Sequence, residues 1–184
     1  MSNKQPVKSV FENLQKSLHQ WGFNTYLMPE SEENIIEQLL VSLNPEGQSE
    51  EDFPPIQIMF INDMVKKSDL LNGKDLEMTY ILQLFLALPV TFPEEKLLDA
   101  YKLISVFSRI IPTGYLGIGD DGVFFRYTIL SDKREVNSKL ATESVKFTSF
   151  FVSRFYTKIK ELSTGQKSLE TLLEESSQEL MPQT

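Results

Sequence analysis

The fold is decided by residues 115–130, whose sequence is YLGIGDDGVFFRYTIL. Successive side chains of a β-strand point to opposite faces of a sheet, and every second residue from Val123 to Ile129 is apolar or aromatic. The Asp121-Gly122 pair in the middle of the stretch favours a tight turn between antiparallel strands. The stretch therefore predicts a β-hairpin with strands at residues 115–119 and 123–130, joined by Asp120-Asp121-Gly122.

Helices are predicted on both sides of this hairpin. Before it, apolar residues at helical spacing indicate a helix over residues 93–111 that ends before Pro112. Its predicted buried stripe consists of Leu97, Leu98, Tyr101, Ile104, Phe107 and Ile111. After the hairpin, a longer helix is predicted over residues 138–162, ended by Ser163-Thr164-Gly165. Its predicted core-facing stripe consists of Val145, Val152, Phe155, Tyr156, Ile159 and Leu162.

The first half of the sequence is predicted to form one helix followed by strands. The helix covers residues 7–21, where apolar residues recur at helical spacing and Gly22 follows. Alternating apolar residues predict strands at 23–28, 38–43, 56–61 and 80–88. The last of these is apolar on both faces, which is typical of a central strand covered twice. Residues 30–37 fit either a helical turn or the start of a long strand, and residues 62–75 fit a loop or a broken helical turn.

The predicted order of elements is helix, strands, helix, β-hairpin, helix. Strands and helices do not alternate strictly as they do in a parallel sheet, so the sequence predicts an α+β fold, an antiparallel sheet with helices packed on it. The protein has 184 residues, and we expect a single α+β domain over residues 1–163. Residues 164–184 are expected to be an acidic C-terminal tail whose leucines allow a short helix.

The composition argues against several classes of function. The sequence has no cysteine and one histidine, His19, for which a surface or helix-capping role is expected. Thiol chemistry and a Ser-His triad are therefore disfavoured. The acidic clusters lack the spacing of a calcium loop, and no catalytic residue, metal or cofactor is predicted. The net charge of -8 disfavours nucleic-acid binding. Because neither an export signal nor a membrane span is recognised, a cytoplasmic protein without membrane insertion is expected.

Three local patterns resemble ligand sites but have simpler interpretations. Glycines at 117, 119 and 122 match G-x-G-x-x-G, yet a dinucleotide site needs a helix after the motif, and here a strand follows. Asp120 and Asp121 are expected to be solvated turn carboxylates rather than a paired acid and base. Arg126 lies among aromatic residues and is expected to make cation–π contacts on a sheet face rather than to stack on nucleobases.

The segment FSRIIPTGYLGIGDDGVFFRY at positions 107–127 resembles the C-terminal half of YbjN-like proteins. In that family a helix leads into a Gly-aromatic strand, an acidic glycine turn, and a second strand with an arginine flanked by aromatic residues. YbjN-like proteins are similar in fold to type III secretion chaperones, and the predicted element order matches theirs over residues 7–162. The resemblance implies a small, acidic, dimeric bacterial protein that binds other proteins, and it implies no catalytic residues.

The helix over residues 138–162 carries more apolar surface than its own sheet requires. Phe147, Phe150 and Phe151 extend its stripe past half of the circumference, whereas a surface helix needs a stripe of only about 100°. Two explanations remain open. Either the tail helix around Leu169 to Leu173 covers the additional face, or Phe147, Phe150, Phe151 and Arg154 form an interface with a second copy or another partner.

These patterns favour a non-enzymatic protein-binding module. Such a module would form a homodimer and bind a protein or peptide partner as an added strand or as an amphipathic helix in a groove beside a sheet edge. The alternative is an enzyme or small-molecule-binding protein with a carboxylate-based pocket. That alternative requires polar groups that converge in a cavity.

Overall fold

The computed structural model describes residues 9–32, 34–43, 53–67 and 79–180, and the side chains at 65–67 and 178–180 are not described. Within these ranges the strands are β1 (Thr25–Met28), β2 (Gln38–Val41), β3 (Ile56–Phe60), β4 (Tyr80–Ala87), β5 (Tyr115–Gly119) and β6 (Gly122–Ser131). The helices are α1 (Glu12–Gln20), α2 (Ile61–Lys67), α3 (Leu97–Ile110), α4 (Ser138–Thr164) and α5 (Leu169–Leu180). A 3-10 turn, Glu94–Lys96, precedes α3.

The predicted α+β class is confirmed. The strands form one antiparallel six-stranded sheet in the order β1-β2-β3-β4-β6-β5. In the first hairpin Thr25 pairs with Val41, and β2 continues to β3 with Val41 opposite Ile56. In the predicted β5–β6 hairpin Gly119 pairs with Gly122, so Asp120 and Asp121 alone form the turn.

Backbone contacts define two compact units. The first comprises the described parts of Met1–Leu43, Pro55–Leu84 and Thr128–Val145, and the second those of Asn44–Pro54, Phe85–Tyr127 and Lys146–Thr184. In the first unit α1 packs on β1, and the core includes Phe11, Leu14, Leu18, Leu39, Val41, Ile58 and Phe60. In the second unit α3 packs on β5 and α5 packs on α3, and the core includes Leu103, Phe107, Leu116, Phe125, Phe155, Ile159 and Leu172.

The helix predictions are confirmed with shifted ends. Residues 9–11 precede α1, and the predicted start at 7 and 8 lies outside the described residues.

The segment 30–37 forms neither a regular helix nor a strand where it is described, because the Asn34 amide nitrogen donates to the carbonyls of Met28 and Pro29 and holds it as a loop. The helix α2 occupies residues 61–67, where the sequence predicts the end of a strand at 61 and a loop or broken helical turn from 62.

Two burial predictions are wrong. Leu98 and Tyr101, predicted in the buried stripe of α3, are 66% and 53% exposed, because the stripe on the sheet is Ala100, Leu103, Ile104 and Phe107. In β4 one face is buried through Leu82, Leu84 and Leu86. The other face is half covered, with Ile81 and Phe85 partly buried and Ala87 exposed, so this strand is not enclosed on both sides.

The C-terminal residues form a packed helix rather than a loose tail. Leu169 and Leu172 are buried in the second unit. The backbone N–H of Thr171 donates to the Ser168 hydroxyl, which caps the first turn of α5. Residues 181–184 of the predicted tail and residues 68–75 of the predicted loop or broken turn lie outside the described residues.

Candidate protein-binding surface

The strongest candidate surface is on α4. All six residues of its predicted core-facing stripe, from Val145 to Leu162, are buried. A second group, which we call the α4 aromatic patch, consists of Phe147, Phe150, Phe151 and Arg154. Phe147 is 51% exposed and Phe150 56% exposed, while Phe151 and Arg154 are partly buried. At about 100° per residue the four lie within a sector of about 100° beside the buried stripe.

The α4 aromatic patch is held in place by a continuous series of ring contacts. The Phe151 ring contacts Phe147 at a centroid distance of 6.4 Å and Phe150 at 5.2 Å. It also stacks on Phe155 at 6.0 Å, and Phe155 stacks on Phe107 of α3 at 4.3 Å. The exposed rings are therefore fixed to the core of the second unit, which lowers the side-chain entropy lost when a partner covers them.

The described part of α5 leaves Phe147 and Phe150 of this patch more than half exposed. It meets α4 one to two turns further along, where the buried Lys158 ammonium donates to the Ser176 hydroxyl at 3.3 Å. The Ser176 hydroxyl in turn donates to the Leu172 carbonyl at 2.6 Å. The explanation that the tail covers the additional apolar face therefore holds near Lys158 and fails at Phe147 and Phe150.

The edge strand β5 is less accessible to an added strand than the sequence suggests. The Ser108 hydroxyl of α3 donates to the Leu116 carbonyl and accepts the Leu116 backbone N–H, both at 3.2 Å. Both backbone groups of Leu116 are therefore occupied by the Ser108 side chain, which protects the edge in the middle of the strand. Strand addition at β5 would require α3 to give up these bonds.

The glycine motif and the turn carboxylates have the architectural roles expected of them. A cavity of about 330 Å³ opens beside the hairpin turn and is lined by Thr91, Phe92, Leu97, Tyr101, Ile118, Gly119, Asp120 and Gly122. Asp120 and Asp121 are exposed, and Asp120 is the one carboxylate in this lining. The cavity does not hold a pair of carboxylates that could act as acid and base.

Arg126 makes the expected cation–π contacts with its neighbour Phe124 and with two rings from other strands. Its guanidinium carbon lies 5.2 Å from the ring centroid of Phe124, 5.8 Å from Phe85 and 6.0 Å from Tyr115. Phe85 comes from β4 and Tyr115 from β5, so sequence reasoning misses two of the three rings. The hairpin register pairs Tyr115 with Arg126, so a predicted register could have identified the Tyr115 ring.

A second arginine, Arg134 in the first unit, has ionic partners that the sequence does not indicate. Its Nη2 lies 2.6 Å from Asp63 Oδ2 and 4.0 Å from Glu37 Oε2, and its Nε donates to Asp63 Oδ1. The guanidinium also lies 5.3 Å from the Phe60 ring centroid. The hydrogen bond to Asp63 raises the pKa of Arg134 above its usual value.

Lys167 and His19 have partners that fit structural roles. Lys167 lies 2.9 Å from Glu175 and 3.3 Å from Glu161, and these hydrogen bonds, the one to Glu175 first, raise the pKa of Lys167. His19 is exposed, and its Nε2 lies 2.7 Å from the Thr25 hydroxyl, which fits the expected surface role. In the ranges that the structure describes, no group of three metal-ligating residues comes together.

Comparisons with protein-family models, curated proteins and solved structures gave no match. The resemblance to YbjN-like proteins and secretion chaperones therefore stays a prediction. Among the helices of the described ranges, none combines the length and the apolar character needed to cross a bilayer.

Proposed function

We propose that this protein is a non-enzymatic protein-binding module whose α4 aromatic patch binds a second copy of the protein. The observation that carries the proposal is the pair of phenylalanines, Phe147 and Phe150, which are more than half exposed and yet fixed to the core through Phe151. Aromatic residues and arginine are enriched at protein interfaces. A two-fold pairing of identical patches is the commonest closed arrangement.

The expected affinity is modest. Full burial of a phenylalanine contributes about 1.5 to 3 kcal/mol, so covering the exposed halves of two rings contributes about 2 kcal/mol per copy. A micromolar dissociation constant corresponds to about 8 kcal/mol, so the patch needs surrounding contacts to reach that range. The two patches of a homodimer together contribute about 4 kcal/mol, which corresponds to a millimolar dissociation constant, so association at tens to hundreds of micromolar needs about 2 kcal/mol more from the surrounding contacts.

The enzyme alternative has less support. It needs convergent polar groups, and the cavity beside the hairpin has a single exposed carboxylate in its lining. The proposal keeps the predictions of no catalytic residue, no cofactor, no nucleic-acid binding and a cytoplasmic location.

Sedimentation equilibrium of the full-length protein tests the homodimer. We expect the wild-type protein to associate at high micromolar concentration, and the double variant Phe147→Ser, Phe150→Ser to remain monomeric with an unchanged circular dichroism spectrum. A matched control is Leu98→Ser, Tyr101→Ser, which replaces two large side chains of α3 that are also more than half exposed. A strictly monomeric wild type, or equal weakening by the control, would contradict the proposal.

A further inference from the structure

Arg126 and the aromatic rings around it form a cluster, the Arg126 cluster, on the face of the sheet opposite to Phe125. Three rings surround the guanidinium, and the hairpin register places Tyr115 directly across from Arg126 and Gly117 across from Phe124. The Phe124 ring lies over Gly117, where a Cβ atom would be 2.5 Å from the ring's Cζ. The missing side chain at Gly117 therefore creates the space in which Phe124 flanks the guanidinium.

The cluster leaves part of the guanidinium unsatisfied. Arg126 Nε is buried and has no hydrogen-bond partner among the described residues. Rings interact with the flat faces of a guanidinium, whereas its N–H groups, which lie in the plane, need acceptors. A buried donor without an acceptor is unfavourable, and because Nε is covered, a ligand acceptor gains this hydrogen bond when the surrounding side chains move aside.

Arg134 shows how this protein holds an arginine that has only a structural role. That guanidinium also lies over a ring, Phe60, but it donates to both oxygens of Asp63. The two arginines share the aromatic contact and differ in the carboxylate. Acidic residues outnumber basic ones in this protein, 26 to 18. Even so, three rings surround Arg126, whereas a carboxylate pairs with Arg134.

We propose that the Arg126 cluster is a binding site for an organic carboxylate that is attached to an apolar or aromatic group. A planar guanidinium matches a carboxylate in geometry and charge, and the surrounding rings partly exclude water, which strengthens the ion pair. The flanking faces of Phe85 and Tyr115 would contact the apolar group. In a polypeptide partner such a carboxylate is either the terminal carboxylate of the backbone or an acidic side chain. The site is independent of the α4 aromatic patch.

The test is a nuclear magnetic resonance titration that follows the Nε–Hε signals of the arginines in the full-length protein. The probes are N-acetyl-phenylalanine, which mimics a C-terminus, and N-acetyl-glutamic acid α-amide, which mimics a side chain. N-acetyl-phenylalanine amide is the neutral control, and inorganic phosphate tests for a general anion site. We expect a saturable shift of the Arg126 signal with one or both carboxylates in the millimolar range, as small fragments bind.

The Arg134 signal and the Arg126→Gln variant serve as controls. The Arg134 signal should not move, because Asp63 already occupies that guanidinium. In the Arg126→Gln variant, the affinity for the carboxylate probes should be at least about tenfold lower. The chemical-shift changes of the neighbouring backbone amides should then no longer saturate over the same range of probe concentration. The proposal is overturned if neither carboxylate gives a saturable shift of the wild-type signal. It is also overturned if the neutral amide binds equally well or phosphate binds more tightly. Because the titration is made on the wild type, a variant that fails to fold does not affect it.

Discussion

At the scale of single residues, Gly122 illustrates how the hairpin depends on one position. Its φ is +115°, and a Cβ atom there would lie 2.5 Å from the Val90 carbonyl oxygen. This approach is close because the Val123 backbone N–H donates to the same carbonyl at 3.0 Å. We expect Gly122→Ala to lower the free energy of unfolding by about 2 kcal/mol or more, as measured by urea denaturation.

The control for this prediction is the glycine that pairs with it. Gly119 has no positive φ, and a Cβ atom there would meet nothing closer than 3.6 Å. Gly119→Ala should therefore change stability by less than about 0.5 kcal/mol. Equal losses at the two positions would mean that neither the left-handed backbone nor the Val90 contact matters.

Glu170 provides a pH-dependent prediction at the same scale. Its carboxylate accepts hydrogen bonds from its own backbone N–H and then from Ser168, and both lower its pKa below the usual value. The pKa of Glu170 is thus lower in the folded state than in the unfolded state. Its carboxylate therefore stabilises the fold at a pH above the unfolded-state pKa, and this stabilisation is lost as the pH falls through the folded-state pKa. We expect Ser168→Ala to raise the pKa of Glu170, measured from its carboxyl carbon shift during a pH titration.

Lys102 supplies the comparison, because its charge is the smallest contribution that lowers the pKa of Glu170. Lys102→Ala should therefore shift the titration less than Ser168→Ala does. A larger effect of the lysine would show that charge rather than hydrogen bonding sets this pKa.

At the scale of elements, Asn62 joins the helix α2 to the start of β4. Its side chain is 2% exposed, donates to the Thr79 carbonyl at 3.1 Å and accepts the Ile81 backbone N–H at 2.6 Å. Replacement by alanine leaves the Thr79 carbonyl and the Ile81 backbone N–H, which are partly buried, without these hydrogen bonds, at a cost of about 1 kcal/mol for each. We expect Asn62→Ala to lower the free energy of unfolding by at least about 2 kcal/mol.

Asn137 is the matched control, since its side chain is exposed and accepts the Leu140 backbone N–H at the start of α4. Loss of such a cap costs about 1 kcal/mol. If chemical denaturation shows Asn137→Ala to be the more harmful change, the role assigned to Asn62 is wrong.

Elements with a strong local signal are predicted correctly from the sequence, and those set by distant contacts are not. The hairpin depends on the Asp120-Asp121-Gly122 segment, and α4 depends on a long regular stripe, so both are visible in the sequence. In α3, by contrast, two neighbouring apolar stripes have the same helical period. Only packing on β5 decides that Ala100 and Leu103 are buried while Leu98 and Tyr101 remain exposed.

At the scale of the whole molecule, the same distinction explains what could be predicted of the candidate sites. The excess of phenylalanine on α4 is a local pattern, and it leads directly to Phe147 and Phe150. The cluster at Arg126 needs strands that are distant in sequence, because Phe85 lies on β4 and no local pattern connects it with Phe124. Sequence reasoning therefore finds the arginine and Phe124 but not the rings of Phe85 and Tyr115.

The net charge of the molecule gives a prediction about self-association. Each copy carries a formal charge of -8, so two copies repel each other while the apolar patches attract. For charge centres about 40 Å apart, this repulsion falls by roughly 1 to 2 kcal/mol when the ionic strength rises from about 0.01 M to about 0.15 M. We therefore expect the homodimer to bind about tenfold more tightly at the higher salt concentration, measured by sedimentation equilibrium.

The sign of this salt effect distinguishes an apolar interface from an ionic one. Contacts held by ion pairs between copies weaken when salt is added, whereas contacts through Phe147 and Phe150 have no charges to screen and gain from the reduced repulsion. The Phe147→Ser, Phe150→Ser variant carries the same net charge and should remain monomeric at both salt concentrations. Tighter association of that variant with added salt would place the interface elsewhere on the surface, and weaker association of the wild type would mean that charged residues hold the two copies together.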